Sequence, residues 1–203
     1  MNFAQKFLEL TARTAQLVDA GAVDRMAALL ADVREGGGRL FFIGSGGGAG
    51  HASHATCDFR KLGGFEAHCP TDNVSELTAR INDEGWENSL ADSLKAMRLS
   101  AKDGVFVFSV GGGSEENRIS VNLVNAVKFA KSRGAKVFGV VGRDGGHTAK
   151  HADACIVVPT VDSELVTPLT ESFQAVIWHL LVSHPLLQTN RAKWEGLDEP
   201  TKP

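Results

Sequence analysis

Two sets of histidine and carboxylate side chains could carry out chemistry in this sequence. His51, His54 and Asp58 are spaced i, i+3 and i+7, which places all three on one face of a helix. Glu171 and His179 are eight residues apart and fall on roughly the same side of a second helix. Imidazole and carboxylate groups can share a divalent metal or exchange protons with a substrate. The two sets together favour a metal or acid–base site.

Either set alone is also compatible with a purely structural role, because a buried histidine or carboxylate needs polar partners in any fold. Eight residues of helix rise about 12 Å, whereas zinc–ligand bonds are about 2 Å long. One metal bound by both Glu171 and His179 of one chain would need strongly converging side chains. Otherwise one of them is not a ligand, or an oligomer supplies ligands from different chains. We interpret His51 as structural rather than as a ligand.

Two glycine-rich segments could hold an anion. Gly44–Gly50 reads Gly-Ser-Gly-Gly-Gly-Ala-Gly, and Ser109–Ser114 reads Ser-Val-Gly-Gly-Gly-Ser. Each segment follows an apolar run and precedes a helical pattern, and ligands of open parallel sheets bind at such strand ends. Glycine lets a ligand approach the backbone closely, and the next helix offers free N–H groups. Ser109 and Ser114 add hydroxyl donors, so two such loops in one domain predict a phosphate site.

Neither loop matches the common nucleotide motifs in full. No Gly-Lys-Ser/Thr follows either loop, which excludes a Walker A motif. Gly44, Gly46 and Ala49 fit the relaxed dinucleotide pattern G-x-G-x-x-G/A, but the acidic residue expected after the next strand is missing, since residues 68–70 read His-Cys-Pro. A phosphosugar is therefore favoured over a nicotinamide cofactor.

The elements that must position these residues alternate along the chain. Short, nearly continuous apolar runs predict buried strands, and amphipathic patterns between them predict helices. This alternation predicts an α/β fold with a doubly wound, five-stranded parallel sheet, helices on both faces and additional N-terminal helices. The predicted strands are residues 39–44, 105–108, 137–141 and 155–158, with a weaker one at 65–69; the predicted helices are 2–19, 22–34, 51–62, 74–81, 86–98, 117–133, 145–151 and 167–183.

Length and composition limit the class of protein. The 203 residues suggest one domain, placed at 1–185, with a C-terminal tail at 186–203. A formal net charge of -3 gives no general attraction to nucleic acid or to an acidic membrane. No apolar run approaches membrane-spanning length. Three cysteines without a secretory leader indicate reduced thiols and a cytoplasmic location.

These motifs, in this order, resemble those of the sugar isomerase (SIS) domain family, and within it the phosphoheptose isomerases, over roughly residues 1–185. The family's His-x-x-x-Glu is similar to His54 and Asp58, and its late Gln and His, eight residues apart, are similar to Glu171 and His179. The other matching segments are Gly44–Gly48 for Gly-Asn-Gly-Gly-Ser, residues 72–86 for Asp-x-Ser-x-Leu-Thr…Asn-Asp-Tyr-Gly, Ser109–Ser114 for Ser-Thr-Ser-Gly-Asn-Ser, and residues 137–146 for a strand leading into Thr-Gly-Lys-Asp-Gly-Gly.

The resemblance implies an aldose–ketose isomerase, with sedoheptulose 7-phosphate and D-glycero-D-manno-heptose 7-phosphate as the family's substrate pair. It implies Asp58 as the base and His179 as the partner acid, with Glu171 as the base if Asp58 is only a ligand. It further implies a cytoplasmic homotetramer in which residues 1–35 pack between subunits. One zinc ion per site would be bound by His54, Asp58, Glu171 and His179, and the substrate and its phosphate by Ser45, Gly46, Gly47, Gly48, Asp83, Ser109, Gly111 and Ser114.

The sequence also departs from the family's pattern. Asp58 replaces a Glu and Glu171 replaces a Gln, while the two loops have lost hydroxyls at Gly48, Val110 and Gly111. A basic residue of the family is replaced by Leu62, for which Arg60 or Lys61 could compensate. An alternative is a non-catalytic SIS protein that senses phosphosugars or regulates another protein, as the replication-initiator-associating protein of this family does. The retained histidine–carboxylate sets favour an enzyme.

Overall fold

The predicted parallel sheet is confirmed by a computed structural model, which describes residues 2–196. Its strands, all paired in parallel, lie in the order β2-β1-β3-β4-β5. The central strands are buried on both faces, which explains why they read as continuous apolar runs. The strands are β1 (Leu40–Gly44), β2 (Ala67–His68), β3 (Gly104–Ser109), β4 (Lys136–Val141) and β5 (Ala154–Val157).

Helices cover both faces of this sheet, as a doubly wound fold requires. The helices are α1 (Phe3–Leu17), α2 (Ala20–Glu35), α3 (Gly47–Lys61), α4 (Val74–Glu84), α5 (Ser89–Ala96), α6 (Val121–Ser132), α7 (Gly146–His151) and α8 (Val166–Ser183). Because successive strand residues point to opposite faces, Phe42 packs with α2, α3 and α8, whereas Phe41 and Ile43 pack with α5 and α6. The predicted fold class is therefore correct.

Two helices begin four residues away from the start that the sequence predicts. α3 begins at Gly47 rather than at residue 51, because the glycines themselves form its first turn after Gly46 turns the chain at φ +58°. α6 begins at Val121 rather than at residue 117. The preceding residues form an antiparallel bridge between Ser114 and Ile119 instead, which makes the loop after β3 longer than predicted.

α8 differs from the sequence-based expectation in one respect. With the short turn before it, this helix is long and apolar enough, by length and composition alone, to cross a membrane. Its apolar side chains Phe173, Ile177, Trp178 and Leu181 are nevertheless buried in the core beside α2 and α3. This burial is typical of a core helix of a globular domain.

The chain beyond α8 stays attached to the domain for several residues. Leu187 is fully buried, and the guanidinium of Arg34 donates to the carbonyl oxygens of Gly63, Leu186 and Leu187. The tail predicted from residue 186 therefore begins on the body of the domain. Residues 197–203 of that predicted tail lie outside the described residues.

Candidate active site

The first glycine loop brings the start of α3 against the centre of the sheet. A Cβ atom at Gly48 would lie 2.5 Å from the carbonyl oxygen of Phe108 in β3, and one at Gly44 would overlap the backbone of Gly48. Only glycine permits this approach. The first turn of α3 therefore lies at the carboxyl ends of β1 and β3, where ligands bind in open parallel sheets.

The loop after β4 packs directly on the second glycine loop. A Cβ at Gly112 would overlap the carbonyl oxygen of Gly145, and one at Gly146 would lie 2.5 Å from the carbonyl oxygen of Gly113. Thr148 fixes the contact, since both its backbone N–H (2.9 Å) and its hydroxyl (2.8 Å) donate to the carbonyl oxygen of Gly112. The two loops thus form one rigid wall.

A cavity of about 1030 Å³ opens between these loops and α8. Five of the predicted substrate contacts line it: Ser45, Gly48, Ser109, Gly111 and Ser114. Gly46 and Gly47 lie in the first loop but do not contribute to the lining. Asp83 is exposed on α4 and pairs with Asn82 (2.7 Å), so a single chain does not bring it into the cavity.

The three serine hydroxyls of this cavity share one hydrogen-bonding pattern. The oxygen of Ser45 accepts from the side-chain amide of the buried Asn122 (3.1 Å), and the oxygen of Ser109 accepts from the N–H of Gly112 (3.0 Å). Ser114 accepts likewise from the N–H of Asn117 (3.2 Å). Because each oxygen is used as an acceptor, its own proton is free to donate to an anion.

A separate group of three side chains has the composition of a metal site. One potential ligand atom from each of His54, Asp58 and His179 lies within 4.8 Å of the other two. The Asp58 Oδ2 atom is 3.8 Å from Nε2 of His54 and 3.7 Å from Nε2 of His179. Nδ1 of His179 must donate to the carbonyl oxygen of Ala175 (2.8 Å), so Nε2 is the ring atom that can bind a metal or exchange a proton with a substrate. Two imidazoles and one carboxylate suit zinc.

Glu171, the fourth predicted ligand, lies elsewhere in the single chain. Its carboxyl group stands over Gly47 in the cavity, where a Cβ on that glycine would be 2.6 Å from it. α3 and α8 run side by side in the same direction, with Trp178 beside His54 (ring centroids 4.6 Å apart) and His179 beside Asp58. Glu171 therefore lies near the first loop, about 12 Å of helical rise from His179.

Burial lowers the pKa of the two remaining histidines near the site. Burial lowers the pKa of His51, opposed by the carboxylate of Glu171, and its ring lies 6.1 Å from that of Phe108. Burial and the neighbouring His151 also lower the pKa of His147, which lines the cavity. His51 is not a member of the three-residue group found among the described residues.

Sequence reasoning missed the basic side chains of the cavity. Arg143 and Lys150 line it, both from the segment that follows β4. The signal was a third glycine turn, at residues 142–146, directly after a buried strand. From sequence, Arg60 could compensate for the basic residue that Leu62 replaces. It instead donates to the carbonyl oxygen of Ala67 on β2 and lines a different surface depression.

Comparisons with known proteins agree with this architecture. The chain is 36% identical over 165 residues to lincomycin biosynthesis protein LmbN of Streptomyces lincolnensis, covering 78% of this chain but 60% of that protein. It is 31% identical over 164 residues to the phosphoheptose isomerase of Sulfurimonas denitrificans, covering 78% of each. The structure of a phosphoheptose isomerase from Francisella tularensis superposes with a TM-score of 0.78 at 21% identity, covering 94% of this chain and 100% of that one. No family model matches the chain.

Proposed function

The chain belongs to the phosphoheptose isomerase family of SIS-domain proteins, and we propose that it interconverts a phosphorylated ketose and the corresponding aldose. The proposed substrate pair is sedoheptulose 7-phosphate and D-glycero-D-manno-heptose 7-phosphate. The observation that supports this proposal best is the parallel pair α3 and α8. It has the anion-binding loops at one end and the group of His54, Asp58 and His179 at the other.

The two ends of a ketose 7-phosphate match the two ends of this helix pair. Its phosphate and its reacting carbons, C1 and C2, lie at opposite ends of the molecule. With the phosphate held by the serine hydroxyls and glycine amides of the loops, C1 and C2 extend toward Asp58 and His179. Glu171, which lies beside the first loop, would accept a hydrogen bond from a hydroxyl of the sugar chain.

Asp58 and His179 can carry out the proton transfers because they are close enough to act on the same pair of carbons. The Asp58 carboxylate removes a proton from C1, and His179 gives a proton to the carbonyl oxygen on C2, which yields the enediol. His179, which has given up its proton, then takes the proton of the C1 hydroxyl, and the protonated Asp58 returns a proton to C2, which gives the aldose. Glu171 is the alternative base, although its distance along α8 from His179 disfavours a joint action.

The same three residues fit a zinc ion. His54, Asp58 and His179 would hold it through two Nε2 atoms and one carboxylate oxygen, as in catalytic zinc sites with three protein ligands. When bound, zinc would polarise the C2 carbonyl, which is otherwise the task of the His179 proton. Asp58 would keep its second oxygen free to act as the base.

We further propose that a homotetramer completes the pocket. In the described part of the chain, none of the three residues of the metal group lines the cavity, and the side chains of His54 and His179 are 61% and 53% exposed. Val176 and Leu180 are exposed beside them on α8. α1 exposes Phe3, Leu8 and Leu17, which supports the packing of residues 1–35 between subunits.

The proposed reaction can be tested with a panel of ketose phosphates in deuterated water. We expect sedoheptulose 7-phosphate to exchange solvent deuterium at C1 and C2 and to form the aldose, since the base can exchange the proton it holds with solvent while the enediol exists. Parallel reactions with a chelator, and after readdition of zinc, show whether turnover needs the metal. A protein that exchanges deuterium into no ketose phosphate, with or without zinc, would favour the non-catalytic, phosphosugar-sensing alternative.

Exchange of Glu171 for Gln is expected to strengthen binding of inorganic phosphate by about 3–10-fold, because it removes a negative charge near the glycine loops. If Asp58 is the base, kcat should stay within about threefold of the wild-type value. Isothermal titration and steady-state kinetics check both values, with Glu116→Gln as a control that removes another carboxylate lining the cavity. A fall in kcat of about 100-fold or more would instead identify Glu171 as the base.

A further inference from the structure

Arg143 is a cationic side chain in the cavity that the proposed reaction does not use. It lies in the loop after β4, and it is one of the residues that line the cavity, together with Ser109 and Ser114. Within residues 2–196, its guanidinium makes neither a hydrogen bond nor an ion pair with another residue. The guanidinium is therefore available to bind a ligand.

The stem of Arg143 runs along the second glycine loop. Its Cδ atom is 3.7 Å from the position that a Cβ would take on Gly111, so the stem lies against this glycine. The loop has glycine and valine where hydroxyl residues are expected from the family resemblance, at Gly111 and Val110. A guanidinium at this point supplies hydrogen-bond donors in place of the hydroxyls that Val110 and Gly111 lack.

The backbone conformation at Arg143 is one that a side chain strains. Its φ is +54°, in the left-handed region that disfavours every residue with a Cβ and suits glycine. Hydrogen bonds from the N–H groups of Gly142 and Gly145 to the carbonyl oxygens of Val110 and Gly142, each 2.9 Å, hold the loop in place. A glycine would adopt this turn without strain, so the strained arginine points to a functional role.

The charges around the cavity show why a cation is needed there. Four carboxylates line the cavity, those of Glu115, Glu116, Asp144 and Glu171. Within residues 2–196, Glu115 is the only one of these four that forms an ion pair with a lysine, Lys128 at 2.6 Å. A phosphate entering this cavity would be repelled unless a cation contacts it directly. The planar guanidinium can donate two parallel hydrogen bonds to a phosphate, which lysine cannot do.

The geometry points to Arg143 as the residue that binds the phosphate of the substrate, together with the hydroxyls of Ser109 and Ser114. This inference rests on the proposed function for the identity of the ligand as a phosphosugar. The anion site itself can be tested without turnover, because inorganic phosphate alone can occupy it.

The test compares Arg143→Gln with Lys150→Gln, since each removes one positive charge from the same cavity. Isothermal titration with inorganic phosphate should show about 10–100-fold weaker binding for Arg143→Gln, the loss expected for charge-assisted hydrogen bonds. For Lys150→Gln we expect a loss of about threefold or less, from the general field alone. With the sugar phosphate as substrate, Arg143→Gln should raise KM by a similar factor and leave kcat nearly unchanged.

Arg143→Gly serves as the folding control, because glycine relieves the strain at φ +54°. It should unfold at the same or a higher temperature than the wild type and still lose phosphate affinity as Arg143→Gln does. Equal losses for the Arg143 and Lys150 variants, or no phosphate binding by the wild type, would overturn the inference. Phosphate binding that depends on Arg143 in a protein without isomerase activity would uphold the anion site and reject the proposed reaction.

Discussion

Replacement of His179 by alanine is expected to lower kcat for the proposed isomerisation by about 10²–10⁴-fold, with binding of the phosphosugar within about threefold of wild type. The imidazole is the closest partner of Asp58 on α8, at 3.7 Å, and its Nε2 atom is free because Nδ1 donates to the main chain. Its loss removes the proposed acid and one of three potential metal ligands. The two glycine-rich loops, where the phosphate is proposed to bind, lie at the other end of α8 and keep their contacts.

Steady-state kinetics, titration with substrate and metal analysis of the purified variant measure these three effects separately. His68→Ala is a matched control, because His68 also pairs with a carboxylate, Glu66 at 3.3 Å, but lies on the edge strand β2. It should keep its turnover. Turnover retained in His179→Ala would remove His179 from the mechanism, and weaker substrate binding with unchanged kcat would make it a binding residue.

Gly112→Ala should have the largest effect on the fold near the site. Its Cβ would overlap the carbonyl oxygen of Gly145, and its φ of +69° already disfavours a side chain. We expect the free energy of unfolding to fall by about 3 kcal/mol or more, since the two loops must separate. Phosphate binding should be lost at the same time, because Ser109 and Arg143 line the cavity from these loops.

Gly37→Ala separates the two reasons why Gly112→Ala should lower the free energy of unfolding, the steric overlap and the positive φ. Gly37 has nearly the same φ, +65°, but nothing lies within 4 Å of the Cβ it would gain. Its substitution should therefore lower the free energy of unfolding only by the penalty for a side chain at positive φ, about 1–2 kcal/mol. Phosphate binding should stay intact. Denaturant unfolding and phosphate titration of both variants give the comparison. Equal costs for the two variants would show that the contact between the loops contributes nothing to stability.

The sheet and most helices could be predicted from sequence because their signals are local. Buried strands appear as apolar runs, and His54 and Asp58 share a face of one helix through their i, i+4 spacing. The start of α3 could not be predicted in this way, because glycines disfavour a helix unless tertiary packing requires them. Here the packing of Gly48 on β3 does so.

The composition of the site was only partly predictable, because it depends on contacts between distant segments. The arrival of His179 beside Asp58 results from the packing of α8 on α3, for which the sequence holds no local signal. The same packing separates Glu171 from that group. Arg143 could not be assigned to the site from sequence, because it is the pairing of β4 with β3 that brings its loop onto Gly111 and Gly112.

The packing of α3 on α8 also sets the length of the ligand that the site can accept. The spacing between the phosphate loops and the imidazole–carboxylate group is fixed by helical rise, which changes little under thermal motion. In the proposed reaction, a triose phosphate anchored at the loops would be too short to reach Asp58, and it would act as a competitive inhibitor rather than as a substrate. Selection by carbon-chain length would therefore come from the scaffold itself, without any dedicated side chain to exclude shorter sugars.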